Sequence, residues 1–299
     1  HCWNSDDGLT NLGKAGWMLL NVLNNCWFPS ARNRDLTMCD FKPDLSEGCW
    51  KQFNGGTMSP SRTLSNLFLM QLPWHRIQGE LGKIRILDVG CGSGNNGPRL
   101  QSWSGGRVSE YVGVDARAHD NWKGLTERHA KYRFFCADVA HISTHLSGDI
   151  NLIMSQSAIE HFQNDIDFLS EIRAFLGRNS GPVIQVHLFP SAVGLRLYRW
   201  HGVRQYTPRT VSLLSRMFND CSESRLYRLG GAACNMLHME FINNRLFALS
   251  QANRRLRAVL GSYSDRLREA IAVDSTSVQH SPSFYALVIH SHAQDRIFR

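Results

Sequence analysis

The sequence predicts an α/β protein built on a doubly wound, mostly parallel seven-stranded sheet, with a helical N-terminal cap and a helical insertion near the C-terminus. Two observations carry this. Over residues 84–190, short apolar runs rich in β-branched residues alternate with helical patterns, the rhythm of βαβ units. Each run also stops at polar residues, and the first stops at a glycine-rich turn, where an open parallel sheet keeps its ligand crevice.

The first run, IRILDVGCGSG, spans Ile84 to Gly94. Its strand ends near Asp88, and Gly90, Gly92 and Gly94 follow at alternate positions. Backbone without Cβ takes positive φ and lets a ligand lie against the main chain. A helix starting near Pro98 would offer free N–H groups and a positive dipole end to an anionic part of that ligand. YVGVDAR, Tyr111 to Arg117, is a second strand ending in Asp115, 27 residues after Asp88. That is a little beyond the ~20-residue spacing at which a carboxylate meets ribose hydroxyls in dinucleotide folds. RFFCADV, Arg133 to Val139, is a third strand, ending in Asp138. INLIMSQSAIEHF, Ile150 to Phe162, is a fourth strand running into a helix expected over Ser157 to Leu176. GPVIQVHLFP, Gly181 to Pro190, is the fifth; sixth and seventh strands are expected near Ser224 to Leu229 and Ser283 to His290.

Residues 1–80 read as a cap on the substrate side of a domain formed by 81–299. A helix over Lys14 to Phe28 carries Trp17, Leu20, Leu23 and Trp27 as an apolar stripe. It packs on the sheet edge, covers the substrate, or touches a membrane surface. Asn54-Gly55-Gly56 is a turn signal. Ser59 and Pro60 form an N-cap and first helical position, opening a helix to about Leu72. After the fifth strand, Ser191 to Tyr206 is dense in Arg, Tyr, Trp and His, and Thr207-Pro208 opens another helix. An insertion over about 231–282 holds a long helix, Asn235 to Leu260. Leu237, Phe241, Leu246, Leu249, Leu256 and Leu260 share one face, with Arg254, Arg255 and Arg257 near the end. This helix is expected to stand outside the sheet, over the crevice or a subunit contact in a homodimer.

At 299 residues and 42% apolar content the chain can bury a sizeable core. Its net charge of +8 favours anionic partners. The eight cysteines include no C-x-x-C pair, so no zinc site is signalled. Two of them, Cys91 and Cys136, fall inside the strand-end motifs, which points to reduced thiols and a cytoplasmic setting, with a location peripheral to the membrane left open. No apolar run approaches the ~18 residues of a membrane-spanning helix.

Taken in order, LDVGCGSG, GVDA, CADV and SAIEHF resemble the motif series of the class I S-adenosylmethionine-dependent methyltransferases. The resemblance covers Ile84 to Pro190 closely and the C-terminal part loosely. It implies a Rossmann-like fold with S-adenosylmethionine as cofactor. By that resemblance Asp88, Gly90, Cys91, Gly92 and Gly94 lie along its methionine and ribose portions. Asp115 with Ala116 takes the ribose, Asp138 with Val139 takes the adenine, and Ser155 and Gln156 line the methionine end. A nicotinamide-binding domain, the nearest rival, wants G-x-G-x-x-G, and Asn95 stands where its third glycine would be.

Methyl transfer to a hydroxyl needs its proton removed, and histidine titrates near neutrality. His161, after the fourth strand, and His187, at the end of the fifth and across the same crevice, are the candidate bases. The resemblance to sugar and small-molecule enzymes of this fold supports the first. Arg196, Tyr198, His201, Arg204 and Tyr206 are candidate substrate contacts. No N-P-P-Y/F tetrad is present, which argues against methylation of amino groups on bases or glutamine. The reading is an O-methyltransferase acting on a polar, anionic small molecule or glycan. An RNA methyltransferase and a non-catalytic cofactor-binding module are the alternatives.

Overall fold

The computed structural model describes residues 3–53, 58–146, 149–198, 200–243 and 256–298. One sheet organises them. Its strands are β1 (Leu36–Asp40), β2 (Ile84–Val89), β3 (Val108–Asp115), β4 (Tyr132–Cys136), β5 (Leu152–Gln156), β6 (Val183–Pro190), β7 (Ser222–Leu229) and β8 (Phe284–Ser291). They lie in the order β1-β7-β8-β6-β5-β2-β3-β4. Only β8 is antiparallel, and it pairs with β6 on one side and β7 on the other. The sheet therefore has eight strands, not seven. The extra one, LTMCD, is short, pairs only with β7 at the sheet edge and buries only Leu36, so it leaves almost no periodic trace in the sequence.

Strand alternation sends side chains to two separate cores. Ile84 and Ile86 of β2 face one layer, which includes Leu64 and Leu67 of α3 (Pro60–Met70). Leu87 and Val89 face the other, with Phe168, Leu169 and Ile172 of a helix on the opposite side. The caps foreseen at two helix starts are in place. Ser59 accepts from the Arg62 N–H, and Thr207 forms a reciprocal capping box with Thr210 at the start of a helix over Pro208–Ser215.

The N-terminal helix α1 (Asn11–Cys26) departs from its expected docking. Of the apolar stripe only Trp17 is buried; Leu23 and Trp27 are 58% and 71% exposed. What α1 buries instead is Trp17, Asn21 and Asn25. The Trp17 indole donates to the Gly202 carbonyl at 3.1 Å, and the Asn21 amide donates to that of Val203 at 3.3 Å. The helix docks on a loop with free carbonyls, so polar residues supply the contact and periodicity misleads.

Between β7 and β8 the single helix expected over Asn235 to Leu260 is not continuous. One helix, Ala232–Phe241, stops at Phe241, and a second spans Leu256–Ser275. Leu246, Leu249, Arg254 and Arg255 lie outside the described residues, as does the Asn54-Gly55-Gly56 turn. The Asp274 carboxylate of the second helix accepts from the N–H groups of Gly231, Ala233 and Cys234, closing the start of the first. Leu237 and Phe241 are buried in the core that contains Leu64 and Leu67. The pair of helices thus packs against α3 and, among the described residues, contributes none to the main cleft of the sheet. No described helix is long and apolar enough to cross a membrane.

Candidate functional site

The cleft lies at the C-terminal ends of β2, β3, β4 and β5 and holds about 940 Å³. At its floor the chain leaves β2 through the glycine turn. Gly90, Gly92 and Gly94 have φ of +75°, +53° and +77°, the left-handed region. Gly90 has a second constraint, because a Cβ there would sit 2.3 Å from the Ala158 Cβ. The turn is tied down by groups from β3 and beyond. The Gly92 N–H donates to Asp115 Oδ2 at 2.8 Å, and the Gly92 carbonyl accepts from the Trp122 indole at 2.8 Å. Asp115 Oδ1 also accepts from the Arg117 N–H at 3.1 Å.

Gly90, Asp115, Ala116, Asp138, Val139 and His161 all line the cleft. Asp138 caps the short helix that follows it, with Oδ1 accepting from the Ala140 N–H at 2.8 Å. Asp88 lies beneath the turn and is fully buried. Its Oδ2 accepts from the Tyr111 hydroxyl at 2.5 Å and the Asn96 amide at 3.1 Å, while Oδ1 has no partner among the described residues. Burial, only partly offset by those two hydrogen bonds, raises this carboxyl to about 6. Cys91 is buried, and burial pushes its thiol well up, so it is packing rather than a nucleophile. Gln156 donates to Asn66 Oδ1 at 2.8 Å, and its own Oε1 has no partner among the described residues.

An unpartnered buried carboxylate oxygen, a glycine that cannot carry a Cβ and a carboxylate at the end of the second strand fit a ligand with an amine or sulfonium, a close-lying backbone contact and a ribose. Each observation belongs to a residue the sequence singled out.

Other expectations need correction. His187 is not at the cleft. It sits in the middle of β6, paired with Ser155 of β5 and Leu287 of β8, and is wholly buried. Its Nδ1 is 2.9 Å from Ser155 Oγ and its Nε2 is 3.3 Å from Gln185 Oε1. Burial lowers its pKa to about 3, so it stays neutral and out of reach of an acceptor. Ser155 is committed to that bond and does not face the cleft. Three strand residues follow His187, which is why a strand-end reading placed it wrongly.

Arg204 and Tyr206 are also spent internally. Tyr206 is buried and donates to Asp165 Oδ2 at 2.8 Å; Arg204 pairs with Asp165 Oδ1 at 2.5 Å. Together they fasten the post-β6 loop to α7 (Asp165–Leu176). Arg196 points to solvent, and Tyr198 is half-buried with its ring 4.8 Å from that of His238.

His161 and His201, by contrast, meet. Their rings are 4.7 Å apart and perpendicular. His161 Nδ1 lies 2.7 Å from Asp6 Oδ2, and the Nε2 atoms of His161 and His201 lie 4.0 and 3.8 Å from Glu160 Oε1. Burial works against a charged His161, but the Asp6 hydrogen bond and the charges of Glu160 and Asp6 outweigh it, and its pKa is raised. The His161 hydrogen bond holds Asp6 below the usual carboxylate range. No local signal marks Asp6, which lies 155 residues before His161. It arrives because Ser5 and Trp17 both donate to the Gly202 carbonyl and seat the N-terminal segment there.

Residues 86–179 match the family model described as a methyltransferase domain. Among solved structures, the chain is similar to the plantazolicin methyltransferase BamL in complex with a triazolic desmethylPZN analog and SAH. The identity is 14%, 93% of this chain and 98% of that one are covered, and the TM-score is 0.50. It is similar to the same degree to the plantazolicin methyltransferase BpumL in complex with SAH, with 14% identity, 93% and 97% covered and a TM-score of 0.50. At such identities the likeness is one of fold. No curated protein matches the sequence.

Proposed function

We propose, from the match of residues 86–179 to a methyltransferase domain, that the protein is a class I S-adenosylmethionine-dependent enzyme that methylates a hydroxyl of a polar small molecule or glycan, with His161 as proton acceptor. S-adenosylmethionine supplies the electrophilic methyl group. Asp88 would meet its amine, Gly90 its close-lying chain, Asp115 and Ala116 its ribose, and Asp138 and Val139 its adenine side. The observation that carries the catalytic part is the Asp6–His161 pair at 2.7 Å. An ionised carboxylate only accepts, so it holds the imidazole hydrogen on Nδ1 and leaves the Nε2 lone pair free. His161 lines the same cleft as the cofactor residues, as do Asp6 and Asp7 from the N-terminal segment. Residues 1–80 then act as the acceptor-side cap of the 81–299 domain, in a reduced cytoplasmic setting.

A second reading concerns the acceptor's charge. The net +8 of the chain favours an anionic acceptor, but among the described residues Asp6, Asp7 and Asp167 line the cleft together with one arginine, Arg117. That wall favours a neutral or cationic acceptor and opposes a polyphosphate such as RNA. Methyl transfer from labelled S-adenosylmethionine to anionic sugars, neutral glycosides and amines discriminates these. His161→Ala should lower turnover ~10²–10⁴-fold on the best acceptor with cofactor affinity nearly unchanged. Turnover within a few-fold of wild type would overturn the role given to His161.

A further inference from the structure

We propose that Glu160, His161 and His201 bind one divalent transition-metal cation, with Asp6 orienting His161 from its other ring nitrogen. The starting observation is Glu160. Its side chain is fully buried, and neither carboxylate oxygen has a hydrogen-bond partner among the described residues. A buried, unpaired carboxylate is strongly unfavourable unless a cation meets it. The groups around it are suited to hold one. His201 Nε2 and His161 Nε2 stand 3.8 and 4.0 Å from Glu160 Oε1. Two bonds of ~2.0–2.2 Å to a single ion span at most about 4.4 Å. Both separations therefore fit donors that share an ion and are too long for a direct hydrogen bond.

The surroundings fix the donors in place. Asp6 Oδ2 accepts from His161 Nδ1, which leaves Nε2 unprotonated, the arrangement by which a carboxylate orients a metal-bound imidazole. The Gly202 N–H donates to the same Asp6 oxygen at 3.2 Å. Gly202 has φ of +65°, and a Cβ there would lie 2.7 Å from the Glu160 carbonyl oxygen. This close approach sets His201 beside Glu160. One ligand atom each from Asp6, His161 and His201 lies within 4.8 Å of the others, and Glu160 joins this set through its distances to the two histidines.

Two imidazoles and a carboxylate suit Zn²⁺, Co²⁺, Mn²⁺ or Fe²⁺ rather than Ca²⁺ or Mg²⁺, which prefer oxygen donors. Three protein ligands leave a position open, as in catalytic rather than structural centres. Ion and proton compete for one lone pair on His161. With an ion held there, His161 would no longer accept the proton; the open position would take the acceptor hydroxyl and lower its pKa, and solvent water would carry the proton away. That last role rests on the methyl-transfer reading; the binding site does not.

The test is titration of the full chain with CoCl₂ alone, followed by calorimetry and visible d–d absorption. We expect one ion per chain with imidazole-type absorption. Glu160→Gln and His201→Ala should each abolish the absorption, and Asp6→Asn should weaken binding ~10–100-fold. His201 and Asp6 are partly exposed, so their variants keep the test valid if Glu160→Gln fails to fold. Absence of Co²⁺ binding, or binding unchanged in His201→Ala and Asp6→Asn, would overturn the site. SAH affinity measured on the same sample separates the two conclusions: SAH binding without Co²⁺ removes the metal site alone, and Co²⁺ binding without SAH removes the methyl-donor reading alone.

Discussion

Replacing Asp88 by Asn should stabilise the free protein relative to wild type as the pH rises, while weakening its response to the cofactor. Asp88 is wholly buried, and its carboxyl is raised from 3.8 to about 6, chiefly by burial. The folded state therefore holds this proton more tightly than the unfolded chain. The stability linked to it is complete below 3.8 and is lost as the pH rises through about 6. A shift of about two units, at ~1.4 kcal/mol each, amounts to about 3 kcal/mol by pH 7.5. Asparagine carries no charge to desolvate and keeps an oxygen for the Tyr111 hydroxyl. Its amide at the Oδ1 position lacks an acceptor, a loss of ~1–3 kcal/mol at all pH values. The variant should then be less stable than wild type near pH 4 and equal or more stable near pH 7.5, with the difference moving by about 3 kcal/mol. Urea unfolding across that range measures it, and thermal shift with saturating SAH shows the lost response. A stability difference that stays flat with pH would refute the assignment of a charged, unpartnered Asp88.

Two other outcomes follow from the geometry. Gly90→Ala should destabilise the protein by ~1–2 kcal/mol through its positive φ and by a further ~1–3 kcal/mol through overlap with Ala158. In Gly90→Ala/Ala158→Gly the second part should disappear and the first remain, so denaturant unfolding that shows additive single effects would count against the contact. For His187, with its pKa lowered to about 3 by burial, the unfolded chain binds the extra proton between about 6.5 and about 3. Stability should fall with acidification there by up to ~1.4 kcal/mol per pH unit, and His187→Asn should remove one proton's worth of that slope in unfolding measured from pH 7 to pH 4.

The strands and the glycine turn were legible because their signals are local. A buried parallel strand needs a continuous apolar run, and a turn at positive φ needs glycine, so Ile84 to Gly94 announces itself. Asp115 and Asp138 were legible for the same reason, as Asp115 closes β3 and Asp138 follows the end of β4 by two residues. β1 was not, since an edge strand paired on one side need bury only Leu36. The stripe on α1 is real, yet the helix turns Asn21 inward because it docks on carbonyls rather than on a sheet. His187 looked like a cleft residue because position along a strand was read without its facing, which is toward Phe168. The grouping of Asp6, Glu160, His161 and His201 joins three distant segments, and no spacing rule reaches across them. In the sequence Glu160 is one letter of SAIEHF, although it is the one of the four whose burial is complete.

The antiparallel strand has a consequence for biosynthesis. β8 fills the gap between β6 and β7, so before residues 284–291 emerge the nascent chain can assemble only two half-sheets. One is β1 with β7, and the other runs from β6 to β4. Each presents an open edge to the other, and the stretch between β7 and β8, at ~5–20 residues per second, keeps them apart for several seconds on the ribosome. The strand that joins them, FYALVIHS, is buried along its whole length. Outside that slot it is the kind of apolar, β-branched segment that pairs with other chains. The emergence of β8 thus closes a zipper, and a chain stopped short of Phe284 would be left with two unprotected edges.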